Sequence, residues 1–174
     1  MINIEITGKL FKLCAIFCFV VLFLSFLYTL GYRLNISDSL PHRIYKITDI
    51  SDKTIFRSDY VVINCSVITN NPVVIAGLER GYLTKHPMIK QIGAVPGDEV
   101  LLQDDRIYIN GKDYGSMKVL SKDSQGNSLS PYPTLITLQS NQYWLISNPD
   151  RGFDSRYFGW ISRDCISHVA VPVF

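Results

Sequence analysis

The apolar positions of this chain change period once. From Leu13 to Leu30 no residue is charged and most are apolar, with Lys9 and Lys12 before the run and Arg33 after it. About 18 or more such residues can span a bilayer. A cleaved leader has a core of about 7–15 residues and a small-residue cleavage site, whereas this run ends Leu-Tyr-Thr-Leu-Gly-Tyr-Arg. The pattern therefore predicts a retained single transmembrane helix. Lys9 and Lys12 place its N-terminal side in the cytoplasm. Residues 1–33 then form the cytoplasmic N-terminus and anchor, and residues 34–174 a domain across the membrane.

Beyond the anchor the spacing is that of strands. Tyr60–Asn64 is a β-rich run between polar residues. Asn70–Gly81 predicts one short helix, with an Asn cap, an early Pro72 and a closing glycine. Met88–Val95 follows, then the turn Pro96-Gly97-Asp98. Glu99–Leu102 and Arg106–Ile109 form a hairpin around Asp104-Asp105, and Asn110-Gly111 supplies another hairpin turn. Residues 112–133 are polar, rich in Ser, Gly and Asp, and without period, which predicts an exposed insertion. Thr134–Leu138, Tyr143–Ser147, Trp160–Ile166 and Val169–Phe174 complete a mostly β, twisted and partly closed sheet domain.

Composition narrows the function. The 174 residues suit one domain plus an appendage. A net charge of +2 with no block of like charge leaves no nucleic-acid footprint. No Cys or His spacing of a metal site occurs, and nothing calls for a cofactor. Cys14 and Cys18 lie in the apolar run. Cys65 and Cys165 lie beyond it and can bridge in an oxidising compartment if their backbones approach closely enough.

Three stretches carry candidate chemistry. In Asn35-Ile36-Ser37-Asp38-Ser39-Leu40-Pro41, Pro41 holds Leu40 extended, so Ser39 sits in constrained, non-helical backbone. Around Lys90, the neighbours Met88 and Ile92 share the lysine's face of a strand. Either the ammonium reaches water past an apolar stem, or the amine is desolvated, its pKa falls and it can accept a serine proton. In Asp154-Ser155-Arg156, an extended backbone would put Asp154 and Arg156 on one face, as a site-building pair or a surface ion pair. A Ser–His–Asp triad is the rival enzyme arrangement, but His42 is too near Ser39 in sequence, and His86 and His168 lack a recognisable setting.

In this order, the three stretches resemble the type I signal peptidases, which use a Ser–Lys dyad, and within them the TraF-type conjugal-transfer branch. The likeness runs from the single anchor through Ser39-Leu40-Pro41 with Arg43-Ile44-Tyr45, Glu79-Arg80-Gly81-Tyr82-Leu83, and Lys90 with Gly93-Ala94-Val95-Pro96-Gly97-Asp98, to Asp154-Ser155-Arg156-Tyr157-Phe158-Gly159. The resemblance implies Ser39 as nucleophile, Lys90 as neutral base, and an oxyanion hole from the Ser39 N–H with the Ser37 hydroxyl. Asp154 and Arg156 would hold the site, the aspartate counting with the catalytic residues of this branch, while Gly97 and Asp98 set the turn behind the lysine strand. It implies an inner-membrane serine endopeptidase, periplasmic in its catalytic domain, acting on an exported precursor with small residues before the cut. In the TraF branch that precursor is a conjugative pilin, sometimes cyclised, and a scaffold without activity is the non-enzyme alternative.

Two departures stand out. The family often has a serine two residues before the C-terminal aspartate; here Gly152 occupies that position, leaving Ser155 and an ordered water as candidates to orient Lys90. The mid-domain cysteine pair common in the branch is represented only by Cys65. Finally, Ser39 follows Leu30 by nine residues, a reach of about 30 Å at most, so the nucleophile is expected at the membrane surface, with Leu40 and Ile44 against lipid.

Overall fold

The computed structural model describes residues 2–36, 38–50, 53–64, 87–123, 126–132, 135–150 and 152–174, with side chains from residue 8 onward. One long helix, α1 (Ile2–Thr29), precedes a body built of antiparallel strands. Within α1, Gly8–Thr29 is long and apolar enough to cross a membrane, and among the described residues none of that apolar window is buried. Its 22 residues span about 33 Å at 1.5 Å per residue, matching a hydrocarbon core of about 30 Å.

The helix passes into the sheet with almost no linker. β1 (Tyr32–Leu34) pairs with β2 (Ile44–Asp49), Leu34 facing Ile44. Gly31 O accepts from Ile47 N at 2.9 Å. Arg33 closes the helix end: Nη1 donates to Tyr28 O at 2.7 Å and Tyr32 O at 2.8 Å, and its guanidinium lies 3.6 Å from the Tyr28 ring centroid. Neither β1 nor β2 was expected, because a three-residue edge strand has no readable period and β2, Ile-Tyr-Lys-Ile-Thr-Asp, does not alternate apolar and polar residues.

The remaining strands are β3 (Tyr60–Ile63), β4 (Met88–Ala94), β5 (Glu99–Gln103), β6 (Arg106–Ile109), β7 (Lys112–Ser116), β8 (Leu135–Thr137), β9 (Gln142–Ile146), β10 (Ile161–Ser162) and β11 (Ile166–Pro172). A second helix, α2 (Ser155–Phe158), is a single turn. Among the described residues the strands form a seven-stranded sheet, ordered β1-β2-β11-β3-β4-β9-β10, and a four-stranded sheet, β7-β6-β5-β8. Two large apolar clusters make up most of the core, the second drawing on both sheets. Val61, Ile63, Ile92, Leu145, Tyr157, Phe158 and Ile161 fill one. Val100, Leu102, Ile107, Ile109 and Trp144 fill the other.

The predicted strands from Tyr60 onward are present within a residue or two, except that Val169–Phe174 begins three residues earlier, as Ile166–Pro172, and Trp160–Ile166 gives β10, a short 3₁₀ turn, Arg163–Cys165, and the first residue of β11. The predicted helix Asn70–Gly81 lies outside the described residues. Residues 112–133, expected as an exposed insertion, are largely exposed but tied down. Lys112–Ser116 joins the second sheet as β7, Met117 is buried, Leu120 N donates to the Tyr157 hydroxyl at 2.9 Å, and Tyr132 N to Arg156 O at 2.7 Å. Cys165 is disulfide-bonded while Cys14 and Cys18 are free; Cys65, its expected partner, lies outside the described residues. Leu40 does not face lipid. It is buried with Tyr45, Val62 and Ala170, and Ile44 is half-buried between β1 and β11.

Candidate active site

Lys90 sits in the middle of β4, which has a hydrogen-bonded strand on each side. Val61 of β3 lies directly opposite it, and Ile92, two residues on, is opposite Leu145 of β9. All three apolar neighbours are buried, and Lys90 itself is only 5% exposed. At that exposure the ammonium does not reach water past an apolar stem, so the solvated alternative does not hold here. Burial pushes the Lys90 amine well below its usual pKa; Asp154 pulls it back up, and Arg156 pushes it further down.

The carboxylate and guanidinium come from the start of α2. The sequence expectation placed Asp154 and Arg156 on one face of an extended segment. Instead Asp154 alone is extended, as the N-cap, and Arg156 lies in the first helical turn. The pair forms by capping geometry, not by strand alternation. It is no surface ion pair, since Asp154 is 0% and Arg156 1% exposed. Asp154 Oδ1 accepts from Arg156 N at 3.1 Å and Nε at 2.8 Å. Its Oδ2 accepts from Arg156 Nη2 at 2.9 Å, Ser147 N at 2.9 Å and Ser147 Oγ at 2.7 Å.

Arg156 is also the hub of the preceding loop. Its Nη1 donates to Lys118 O and Pro149 O at 2.8 and 2.6 Å, and Nη2 to Asn148 O and Gly152 O at 2.9 and 2.8 Å. The rigid guanidinium fork thus fixes four carbonyls and one carboxylate together. Ser155 Oγ accepts from Leu145 N at 2.8 Å, which ties α2 to β9.

Ser39 reaches the same place from the other side. Asn148 N donates to Ser39 O at 2.7 Å, and Asn148 Nδ2 to Asp38 O at 2.9 Å. The Ser39 backbone is therefore held by the residue next to Ser147, which holds Asp154. Upstream, Asn35 Nδ2 donates to His42 O at 3.0 Å, closing the loop before β2. Ser37 lies outside the described residues.

Behind the lysine strand, Gly97 has φ +89°, a conformation that disfavours any side chain. Asp98 fills the turn, accepting from Val95 N at 2.9 Å, Asn110 Nδ2 at 3.0 Å and Arg57 Nε at 2.7 Å, with Arg57 Nη2 on its other oxygen. Burial works to raise the Asp98 pKa, but the Arg57 guanidinium, the Val95 amide and Asn110 outweigh it and hold the carboxyl below its usual value. The end of β4 is pinned as a result. His42 packs edge-on against Tyr45 and Tyr60, and His168 lies beside Ser167 on the exposed side of β11. His86 lies outside the described residues.

Three participants had no sequence signal of their own: Ser147, Asn148 and Arg57. Ser147 and Asn148 lie in the stretch leading to Asp154, where Asn-Pro marks only a turn. Arg57 acts across 41 positions in the chain. Gly152 is explained by close approach. A Cβ there would overlap Ser147 Oγ and lie 2.5 Å from Arg156 Nη2 and 2.6 Å from Asn148 O. Gly152→Ala is expected to cost about 1–3 kcal/mol of stability, read as a lowered melting temperature of the full chain in detergent; an unchanged melt would show that the loop relaxes freely.

These elements define a β-sheet body whose buried lysine, capped aspartate and backbone-held serine converge on one end of β9. A sequence model of the family described as signal peptidase, peptidase S26 matches residues 6–174. The chain belongs to that family. It is 29% identical over 151 residues to the conjugal transfer protein TraF of Agrobacterium fabrum, covering 83% of this chain and 82% of that protein. It is 29% identical over 155 residues to a plasmid transfer protein TraF of Escherichia coli, covering 84% of each. A crystal structure of a signal peptidase I from Enterococcus faecalis is similar with a TM-score of 0.41 and 20% identity, covering 68% of this chain and 98% of the other.

Proposed function

We propose that this protein is a membrane-anchored serine endopeptidase with Ser39 as nucleophile and Lys90 as general base. The observation that carries this reading is the burial of Lys90 inside the sheet, where the charges acting on its amine are those of an Asp154 carboxylate already paired with Arg156. Protonating Lys90 would leave one uncompensated positive charge in the buried group. A neutral lysine leaves Asp154 and Arg156 balanced, and a neutral amine is what a base needs.

The steps follow. Lys90 takes the Ser39 hydroxyl proton as Oγ bonds to the scissile carbonyl carbon. The oxyanion is met by the Ser39 N–H and the Ser37 hydroxyl. Lys90 returns its proton to the leaving amine as the C–N bond breaks, leaving an acyl-enzyme. Lys90 then takes a proton from a water as that water attacks the ester carbonyl, and returns it to Ser39 Oγ as the ester C–O bond breaks, which releases the acid and restores Ser39. Asp154 and Arg156 hold the lysine side of the site, Asn148 the serine side, and Gly97 and Asp98 the turn that fixes β4.

The substrate is an exported precursor held at the membrane, with small residues before the cut, and the TraF relatives favour a conjugative pilin. Catalysis would take place on the periplasmic face of the inner membrane. The direct passage of α1 into β1, and the exposed Leu34, Ile36, Val173 and Phe174 at that end of the sheet, support a body seated against lipid. Mass spectrometry of the candidate pilin from cells carrying the wild-type or Ser39→Ala chain tests the reading. The wild type should give cut or cyclised pilin and the variant only uncut precursor. Equal processing in both would overturn the nucleophile, and uncut pilin in both would overturn the substrate.

A further inference from the structure

We propose that Ser147 is a positioning residue for Lys90: its hydroxyl, donated to the Asp154 carboxylate, sets how much of that negative charge acts on the lysine amine. This rests on Lys90 being the base of the reaction proposed above.

Three observations point to Ser147. It is 8% exposed, so its hydroxyl is a buried group with a committed partner. It delivers two of the five donors on Asp154, both to Oδ2, whereas Oδ1 is served entirely by Arg156. Its Oγ also fills the space that any side chain at Gly152 would need, and Asn148 O and Arg156 Nη2 close the rest of that space. A hydroxyl can reach this point of the site from position 147 and not from position 152.

The electrostatic consequence has a definite sign. A carboxylate that shares its charge with more donors attracts a neighbouring cation less. Asp154 is the group that favours protonated Lys90, against burial and Arg156. Removing the Ser147 hydroxyl therefore leaves Asp154 with more charge to act on Lys90 and favours the ammonium. Among the described residues, the charges that act on Lys90 are those of Asp154 and Arg156. Beside it in the sheet, β3 brings Val61 and Ile63, and β9 brings Leu145.

The test is an NMR titration of the full chain in detergent micelles, labelled with ¹³C at the lysine ε-carbons, the Lys90 signal being assigned by its loss in Lys90→Arg. In Ser147→Ala the Lys90 midpoint should move to higher pH, a roughly threefold to tenfold fall in the neutral fraction at neutral pH. Ser147→Thr, which keeps the hydroxyl, should titrate as the wild type does. Ser147→Cys, a weaker donor of similar size, should shift in the same direction by less, and serves if the alanine variant does not fold. A Lys90 midpoint unmoved in both Ser147→Ala and Ser147→Cys overturns the role given to Ser147. No substrate enters this measurement, so it fails separately from the dyad, which is overturned by precursor processing that survives in Lys90→Arg.

Discussion

The full chain carrying Lys90→Met is expected to fold at least as stably as the wild type and to lose precursor processing. Methionine matches the lysine stem in length and volume and removes the amine from a site where charge is penalised. Replacing a buried ionisable group by an apolar one of similar size is commonly neutral or stabilising, by about 1–4 kcal/mol. The loss of a general base costs about 10²–10⁴-fold in rate. Lys90→Arg should be as inactive and less stable, because the guanidinium stays charged wherever it is put. Its charge would join Arg156 against the single Asp154. Full processing by either variant would remove Lys90 from the reaction.

The same group dictates two pH dependences. Activity should rise with pH through the lowered Lys90 pKa, because the neutral amine is the active form. Stability should also rise with pH, between that lowered value and about 10.4. In that window the native lysine has lost its proton while the unfolded chain still holds it, so the unfolded state binds more protons. The slope from this one group is about 1.4 kcal/mol per pH unit. Below the window both states are protonated and the whole cost of burying the charge falls on the folded state. Urea midpoints measured across pH should show this slope in the wild type and its loss in Lys90→Met.

Arg156→Ala should be the most destabilising single change in the site, at about 3–5 kcal/mol. It leaves the Asp154 carboxylate buried without its countercharge and takes the partner from four carbonyls, those of Lys118, Asn148, Pro149 and Gly152. For a chain of this size, that is a fall of roughly 10 °C or more in melting temperature. Processing should fail with it, since the loop that Arg156 ties down carries the Asn148 amide on which Ser39 O rests. Arg156→Lys should recover little of the loss, because an ammonium cannot meet a carboxylate and four carbonyls in one plane. A melt within 2 °C of wild type in Arg156→Ala would mean that the loop is held by other contacts.

The long helix and the strands from Tyr60 onward were legible in the sequence, because each depends on local spacing: an uninterrupted apolar run for α1, short apolar runs between turn residues for β3 to β6. Ser39 and Lys90 were candidates from Pro41 and from apolar neighbours, and it was the resemblance to the signal peptidases that singled them out. The pairing of Asp154 with Arg156 was legible too, but for a different reason from the one the spacing suggested. An extended segment and a capped helical turn both bring those side chains together, and only the packing of Tyr157 and Phe158 into the core chooses the helix.

By itself, the sequence determined the candidate residues for the chemistry and the apolar run long enough to anchor the chain. The tertiary structure decided whether Lys90 is buried or snorkels, since that turns on what the folded chain packs over its face of β4. It decided that Ser147 and Asn148 belong to the site, because Ser39 and Asn148 are brought together only when the chain closes. It decided as well that α1 continues into the sheet without a slack tether. Each of these is a matter of long-range pairing, for which a hydrogen bond or an apolar contact leaves no spacing in the chain to read.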